Sequence, residues 1–250
     1  VWNNALGWGA EDLAYQLANA GYKVVLSCVS NLYFDMAYYK DFHEPGYYWG
    51  AFVDVDKPFY FIPFDYFKNA KEDKSGNPID RTIFIGKERL TDYGKTNIVG
   101  LQSLIWSETM DSPERLEYML LPKLLGMAER AWAADPLWAT ETDPVQAERL
   151  YAEAWSSFLS TLGYRELVRL DYFSGGYLYR IPVPGAVIES GVVKANLQFP
   201  GFTLRYTTDG KEPTIKSPVY VGPIHEKGTI KIRAFNSRGR GSKVTTLVNP

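Results

Sequence analysis

Aromatic side chains are the residues of this sequence best suited to chemistry at a binding site. They make up 15% of the 250 residues and include 18 Tyr and 7 Trp, many of them in Gly- and Pro-flanked stretches typical of loops. Tyr and Trp present a flat apolar face with a polar edge, which is what stacking against a sugar ring requires. Because a single Trp more often belongs to the hydrophobic core, composition alone leaves both interpretations open.

The sequence has few of the Cys and His residues that bind metals or form redox centres. Its one cysteine, Cys28, lies in an apolar run and is predicted to be a small buried hydrophobe. The two histidines, His43 and His225, are far apart. Because no Cys/His cluster has metal-ligand spacing, we predict neither a metal nor a cofactor.

Charge and hydropathy exclude two classes of partner. The 27 basic and 29 acidic residues are nearly balanced, which argues against nucleic acid or an anionic membrane surface. No apolar run approaches the roughly 20 residues of a membrane span. The start, Val1-Trp2-Asn3-Asn4, has neither a signal peptide nor an initiator Met, which predicts a fragment or a processed product.

The elements that must position the aromatic residues alternate between helix and strand. The pattern predicts, in order, a helix over 10–20 ended by Gly21, a buried strand over 22–28, an aromatic loop over 31–67, a polar excursion over 69–80, a strand over 99–106, a helix that starts at Ser112-Pro113 and kinks at Pro122, and a helix from the Asp143 cap to about Leu162, ended by Gly163. This alternation is typical of a β/α architecture.

After about residue 180 the pattern changes to short β-branched or aromatic runs separated by turn clusters. The runs cover 187–188, 203–207, 219–220 and 229–234, and Pro182 and Pro184 mark the junction. Short runs of this kind predict an antiparallel β-sandwich. We therefore place the domains at 1–178 and 179–250.

Several stretches resemble the bacterial chitobiase-like branch of the β-N-acetylhexosaminidases of glycoside hydrolase family 20. In order, they are VWNNALGWGAEDLAYQLANAGYKVVLS, NLYFDMAYYKD, EPGYYWG, GLQSLIWSE and LPKLLGMAERAW, and together they span roughly residues 1–133. The later segment VVKANLQFPGFTLRYTTDGKEPT resembles the small domain that follows the catalytic barrel in chitobiases.

The resemblance implies an α/β fold, part of a (β/α)8 TIM barrel followed by a small Ig-like antiparallel β-sandwich. Residues 1–2 would end the sixth barrel strand, 22–28 would form the seventh, and 99–106 the eighth. Three strands leave an open edge and an exposed core face. We expect the missing part of the same enzyme, or another chain, to cover that edge, and we do not expect the piece to fold alone.

The implied activity is hydrolysis of terminal non-reducing N-acetylglucosamine or N-acetylgalactosamine from oligosaccharides. Family 20 is a substrate-assisted exception to the two-carboxylate rule of glycosidases. An N-acetylated oligosaccharide is then the expected partner. Such a substrate places the protein in the periplasm, on the outer surface or outside the cell.

The resemblance also assigns roles to six residues. Tyr33 matches the catalytic tyrosine that donates to the acetamido oxygen. The substrate-binding matches are Trp2 and Trp106 as pocket walls, Trp49 for the next sugar, Asp35 near O6 and Glu108 at O4. Alternate residues of a strand project to the same side, so Trp106 and Glu108 can aim a ring and a carboxylate at one sugar. The role of Trp8 stays open.

Two features implied by the resemblance are missing from these residues, the motif of the catalytic acid and the Arg of the first strand that grips the sugar. The motif His-x-Gly-Gly-Asp-Glu, which carries the catalytic acid, does not occur, and the only Gly-Gly pair is Gly175-Gly176. We therefore expect the 250 residues to be inactive by themselves. Two alternatives remain open, a non-catalytic glycan-binding protein and a carbohydrate-binding module formed by the β-sandwich.

Overall fold

The computed structural model describes all 250 residues, and the chain divides into two compact units, Val1–Thr140 and Glu141–Pro250. The boundary differs from the one at residue 178 that the sequence pattern suggested. The segment from 141 to 178 packs with the strands that follow it, for reasons given below.

The first unit has an α/β arrangement of short elements. They are α1 (Leu13–Asn19), β1 (Val24–Leu26), α2 (Val29–Leu32), α3 (Asp56–Tyr60), α4 (Tyr66–Asn69), a 3-10 turn (Arg81–Phe84), α5 (Asp92–Lys95), β2 (Ile98–Leu101), α6 (Pro113–Leu120), α7 (Lys123–Trp132) and α8 (Leu137–Thr140). The stretch predicted as one aromatic loop, 31–67, thus overlaps three helices of only four or five residues. Helices this short carry no periodic pattern that a sequence reading could detect.

Start and stop signals around the longer helices act as predicted. Gly21 follows α1 with φ at +95°, a conformation that favours glycine. The Ser112 hydroxyl accepts from the Arg115 N–H and caps α6. Helix α6 ends at Leu120 and α7 begins at Lys123, so the expected interruption lies at Pro122.

Three chain segments run side by side at the centre of the first unit. Strands β1 and β2 pair in parallel, with Leu26 opposite Leu101. On the other side of β1, the N–H groups of Ser27 and Val29 donate to the carbonyl oxygens of Val1 and Trp2, each at 2.8 Å. The three segments predicted as neighbouring strands are therefore adjacent, although β1 and β2 are shorter than predicted.

A hydrophobic core fixes β1 against the helices around it. Leu26, Cys28 and Leu32 are fully buried in the same cluster as Tyr15 and Tyr66. The rings of Tyr15 and Tyr66 stack with centroids 4.3 Å apart, and the Tyr15 hydroxyl accepts from the Tyr66 N–H at 2.8 Å. Cys28 is a buried free thiol, as predicted, and burial raises its pKa to about 12. No helix of the chain has the length and apolarity needed to cross a membrane.

The second unit begins with a helical run and continues in strands. The helices are α9 (Pro144–Thr161), a π-helical turn (Leu162–Glu166) and α10 (Leu167–Tyr172). The Asp143 carboxylate accepts from the first turn of α9, as its capping position predicts. The sequence predicted that the helical run ends at Gly163. In the structure the run continues past Gly163 to Tyr172. A Cβ at Gly163 would collide with the carbonyl oxygen of Pro200, so glycine is required there for packing.

The strands of the second unit form two small antiparallel sheets. One pairs β3 (Gly185–Glu189) with β4 (Val192–Asn196), and the other has the order β5 (Thr203–Thr207), β6 (Gly228–Phe235), β7 (Thr245–Asn249). Three of the four predicted β runs lie in these strands. The fourth, 219–220, makes only an isolated bridge between Val219 and Arg205.

A buried polar cluster joins the helical run to the strands. The Asp171 carboxylate, 3% exposed, accepts from the Tyr179 hydroxyl at 2.9 Å, from the Ser237 hydroxyl at 2.8 Å and from the Asn236 amide. Arg238 in turn donates to the Asp171 carbonyl oxygen at 2.8 Å. These bonds explain why residues 141–178 belong with the strand-rich unit.

We predict that Asp171→Ala destabilises the Glu141–Pro250 unit. The substitution leaves the buried Tyr179 hydroxyl and Asn236 amide without their acceptor, at about 1–3 kcal/mol for each unsatisfied group. Urea unfolding of this unit should therefore show a loss of about 3 kcal/mol. The control is Glu153→Ala, which removes an exposed ion pair with Arg149 and should cost under about 1 kcal/mol. Equal effects of the two substitutions would contradict the role of Asp171.

Candidate active site

The predicted site residues lie where the three parallel segments end. Trp2 ends the first segment, Tyr33 and Asp35 follow β1 and α2, and Trp106 follows β2. Tyr33 forms a parallel bridge with Leu104, which extends the β1–β2 pairing beyond the strands. Carboxyl ends of parallel strands share one edge, and this is the edge that carries active sites in barrel enzymes.

Four aromatic rings form a cluster at this edge. Trp2 meets Trp8 and Trp49 edge to face, with ring centroids 6.0 and 6.2 Å away, and Trp49 meets Tyr33 in the same way at 6.2 Å. Trp8 and Trp49 lie parallel, 8° apart, at 6.3 Å. The three indoles are about half exposed, whereas Tyr33 is 5% exposed. The structure thus adds Trp8, which sequence analysis left undecided, to the predicted residues.

A buried carboxylate holds the turn that presents Trp8. Glu11, 1% exposed, accepts from the backbone N–H groups of Trp8 and Gly9 at 2.8 and 3.3 Å. The Lys87 ammonium lies 3.3 Å from the same carboxylate. These contacts with the backbone hold the turn that places Trp8 against Trp49. No short sequence motif indicates them.

The Tyr33 hydroxyl lies near the indole N–H of Trp106, without a well-formed hydrogen bond between them. Burial, together with the nearby Asp35 charge, raises the pKa of Tyr33 above its ordinary value, although the Trp106 N–H acts in the opposite direction. The hydroxyl therefore keeps its proton at neutral pH. Because an indole N–H can only donate, Trp106 does not take that proton.

Asp35 is a buried carboxylate whose two oxygens make no well-formed hydrogen bond. Burial raises its pKa, and the negative charge of the exposed Glu108 acts in the same direction. The backbone N–H groups of Asp35 and Trp106, near the oxygens but outside full hydrogen-bond geometry, lower the pKa, as does the Lys123 ammonium. Buried polar oxygens without partners are rare in folded proteins, which marks Asp35 as a ligand-binding candidate.

The segment that carries Trp49 is fixed by backbone pairing with Asp35. The Tyr47 N–H donates to the Asp35 carbonyl at 2.9 Å, and Ala37 N–H donates back to the Tyr47 carbonyl at 2.6 Å. Gly46 sits at φ +109°, and a Cβ there would lie 2.6 Å from the Asp35 carbonyl oxygen. This close approach requires glycine and brings Trp49 to the cluster.

The structure brings the six predicted residues together. Rings join Trp2 and Trp49 to Tyr33. N–H groups of Trp106 lie near Tyr33 and Asp35, and the Glu108 charge acts on Asp35; the individual roles stay predictions. No group of three or more His, Cys, Asp or Glu side chains could hold a metal ion. Apolar ring faces with one donor and two carboxylates form an arrangement suited to a sugar.

Sequence analysis missed Lys123, which lies beneath this site. The only signal was its position as one charged residue in the apolar motif LPKLLGM. Surface lysines in helices look the same in a sequence, so nothing marked this one as buried.

Two family models match the chain. The one described as the catalytic domain of glycosyl hydrolase family 20 matches residues 1–135, more than half of the chain. The one described as the chitobiase/beta-hexosaminidase C-terminal domain matches residues 166–244.

Individual relatives carry related names. The chain is 34% identical to an N,N'-diacetylchitobiase of Vibrio harveyi over 90% of its own length and 27% of the relative, and 33% identical to a beta-hexosaminidase of Vibrio vulnificus over 84% and 26%. Among solved structures, the GH20 beta-N-acetylhexosaminidase from Streptomyces coelicolor A3(2) aligns with 63% of the chain and 27% of its own, at 24% identity and a TM-score of 0.40. The chain thus spans about a quarter of the length of the curated relatives it matches.

We predict that Asp35→Asn makes the protein more stable at neutral pH. The raised pKa of Asp35 means that the folded protein holds this proton to a higher pH than the unfolded chain does. Stability is therefore lost as the pH rises from the ordinary Asp pKa through the folded value, and Asn avoids that loss.

The measurement is thermal unfolding at pH 7 and at about pH 3. At pH 7 the variant should melt higher, by roughly 2–4 °C for each kcal/mol removed, and the difference should vanish near pH 3. The control, Asp92→Asn, changes a carboxylate that is 97% exposed and should leave both midpoints unchanged. A lower midpoint for Asp35→Asn at pH 7 would contradict the prediction.

Proposed function

The chain belongs to glycosyl hydrolase family 20, and from this premise we propose that it is part of a β-N-acetylhexosaminidase that removes terminal non-reducing N-acetylglucosamine, or N-acetylgalactosamine, from oligosaccharides. The names of its relatives, chitobiase and beta-hexosaminidase, support the proposal. The reaction we propose is substrate-assisted and retaining. The 2-acetamido oxygen attacks its own anomeric carbon, and a Glu outside these 250 residues protonates the leaving oxygen.

The observation that carries the proposal is the position of Tyr33, whose ring meets Trp49 edge to face at 6.2 Å and whose hydroxyl lies near the Trp106 indole N–H. A hydroxyl has one hydrogen, and because an indole N–H can only donate, that hydrogen can be given to the acetamido oxygen. Held in this way, the acetamido oxygen is oriented for attack, and orientation is a large part of what an enzyme supplies.

The aromatic cluster provides apolar faces for the sugar rings. In this proposal Trp2 and Trp106 form the walls around the acetamido group, and Trp49 receives the next sugar. Trp8 lies parallel to Trp49 at 6.3 Å and extends the same platform.

The two carboxylates take the sugar hydroxyls, Asp35 near O6 and Glu108 at O4. Asp35 is 1% exposed. A sugar hydroxyl therefore reaches it only after a neighbouring side chain moves.

We further propose that the three parallel segments are the last strands of a (β/α)8 barrel. The outer strand β2 bears Val99, 56% exposed, beside a groove that Trp132, 91% exposed, also lines. Another part of the same polypeptide, or a second chain, would supply the remaining strands and the catalytic acid. Residues 179–250 would form the Ig-like β-sandwich that follows the barrel.

The relatives do not favour a non-catalytic glycan-binding protein, since those matched over most of this chain carry enzyme names. The proposed substrate occurs outside the cytoplasm, so we propose a periplasmic, outer-surface or secreted location. Fractionation of the source cells would test it.

We predict that Tyr33→Phe slows the chemical step in the full-length protein. The substitution removes the donor and keeps the ring, so kcat should fall about 10²–10³-fold, with little change in KM. Trp106→Ala should instead lower kcat and raise KM together, because it removes both a ring face and the N–H that lies near the Tyr33 hydroxyl. The assay is steady-state hydrolysis of a nitrophenyl N-acetylglucosaminide.

Tyr22→Phe is the matched control, because Tyr22 is 64% exposed and lies outside the cluster. It should leave both constants unchanged. If Tyr33→Phe raises KM and leaves kcat within about twofold, Tyr33 is a binding contact only and its catalytic role is wrong.

A further inference from the structure

Lys123 is a fully buried lysine at the start of α7. Its ammonium donates to the carbonyl oxygens of Phe34 and Met36, at 2.9 and 2.7 Å. These two carbonyls stand on either side of Asp35 in the chain. One side chain from a helix far away in the sequence therefore hydrogen-bonds to the backbone of the segment that carries Tyr33 and Asp35.

The ammonium is itself held in place. It lies 3.9 Å from the centroid of the Tyr38 ring, within the range of a cation–π interaction. The Tyr38 hydroxyl lies 2.8 and 3.0 Å from the carbonyl oxygens of Tyr118 and Leu121, at the junction of α6 and α7. Burying an ammonium is costly unless it is hydrogen-bonded and close to compensating charge, so this arrangement leaves the side chain little freedom.

The backbone of residues 34–36, to which Lys123 donates, also pairs with other segments on both of its edges. The Phe34 N–H donates to the Leu104 carbonyl at 2.7 Å, and the Asp35 carbonyl accepts from Tyr47. The position of Lys123 is therefore linked to the segment before Trp106 and to the segment before Trp49.

We propose that Lys123 is a positioning residue of the active site, which holds the backbone on both sides of Asp35 so that Tyr33 and Asp35 meet the substrate. The proposal rests on the proposed function. Lys123 does not reach the reacting atoms in this role and acts through the segment that it holds.

The charge of Lys123 has a second consequence at Asp35. Lys123 and Glu108 are the charged side chains that act on this carboxylate, with opposite effects, and the Tyr33 hydroxyl lies on the same segment. Without Lys123, burial and Glu108 favour the protonated acid, which accepts fewer hydrogen bonds from a sugar. A residue needed only for folding would have no such effect on the pH profile.

The experiment compares the full-length protein with its Lys123→Met and Lys123→Gln variants, by the pH dependence of kcat/KM on a nitrophenyl N-acetylglucosaminide. Both variants remove the charge, and Gln keeps an amide donor for one carbonyl. We expect kcat to fall at least tenfold in both. The acid limb of the profile, where kcat/KM falls at low pH, should move up by about one pH unit. This is the low end of the change in carboxyl pKa that a nearby opposite charge causes.

Two further variants separate positioning from packing. Lys123→Arg keeps the charge and should return the acid limb to its wild-type position. In an Asp35→Asn background, Lys123→Gln should no longer move the limb, because the group that responds is gone. Lys68→Met is the matched control, since Lys68 also donates to a backbone carbonyl, that of Ala139 at 2.8 Å, away from the site.

Three results would overturn the assignment. Neutral variants with a wild-type kcat and acid limb would show that Lys123 has no influence on the site. Failure of both neutral variants to fold would make it a folding residue. A wild-type protein without turnover would overturn the proposed function and this assignment with it, whereas an active wild type with unaffected variants would overturn the assignment alone.

Discussion

The parallel pairing of three chain segments is the constraint on which the site depends. Backbone bonds from Ser27 and Val29 to residues 1 and 2 fix one side of β1, and β2 pairs on the other side with Leu26 opposite Leu101. Parallel strands end at a common edge, so residues far apart in sequence, Trp2 and Trp106 among them, arrive at the same place. A shift of one residue in the β1–β2 pairing would turn Trp106 away from Tyr33.

The site is built from groups that a stable protein would avoid burying. Asp35 has no well-formed hydrogen bond, and Lys123 is fully buried with its ammonium on two carbonyls. Groups of this kind cost stability unless a ligand or a specific geometry uses them. Tyr33, 5% exposed, lies beside them, and its raised pKa means that the hydroxyl keeps its hydrogen for an acceptor. These features are what an orienting site for an acetamido group requires.

Sequence patterns predicted the elements with strong local signals and failed where long-range packing decides. The Asp143 cap, the interruption at Pro122 and the buried strand around Leu26 follow from local chemistry. Gly163 looked like a helix end, but its missing Cβ serves a contact with a residue 37 positions later. Lys123 and Trp8 carried no usable signal, because burial beneath the site and the Glu11 turn arise only in three dimensions. The motifs around Tyr33 and Trp106 could be matched to a family, whereas the approach of the two side chains could not be predicted.

The central claim is that the Tyr33 hydroxyl orients the acetamido group of the substrate. A crystal structure of the full-length protein with bound N-acetylglucosamine tests it most directly. The account predicts the acetamido oxygen about 2.5–3.0 Å from the Tyr33 hydroxyl, with the Trp106 N–H facing the Tyr33 oxygen. An acetamido group bound away from Tyr33, or turned so that its N–H faces the hydroxyl, would contradict it.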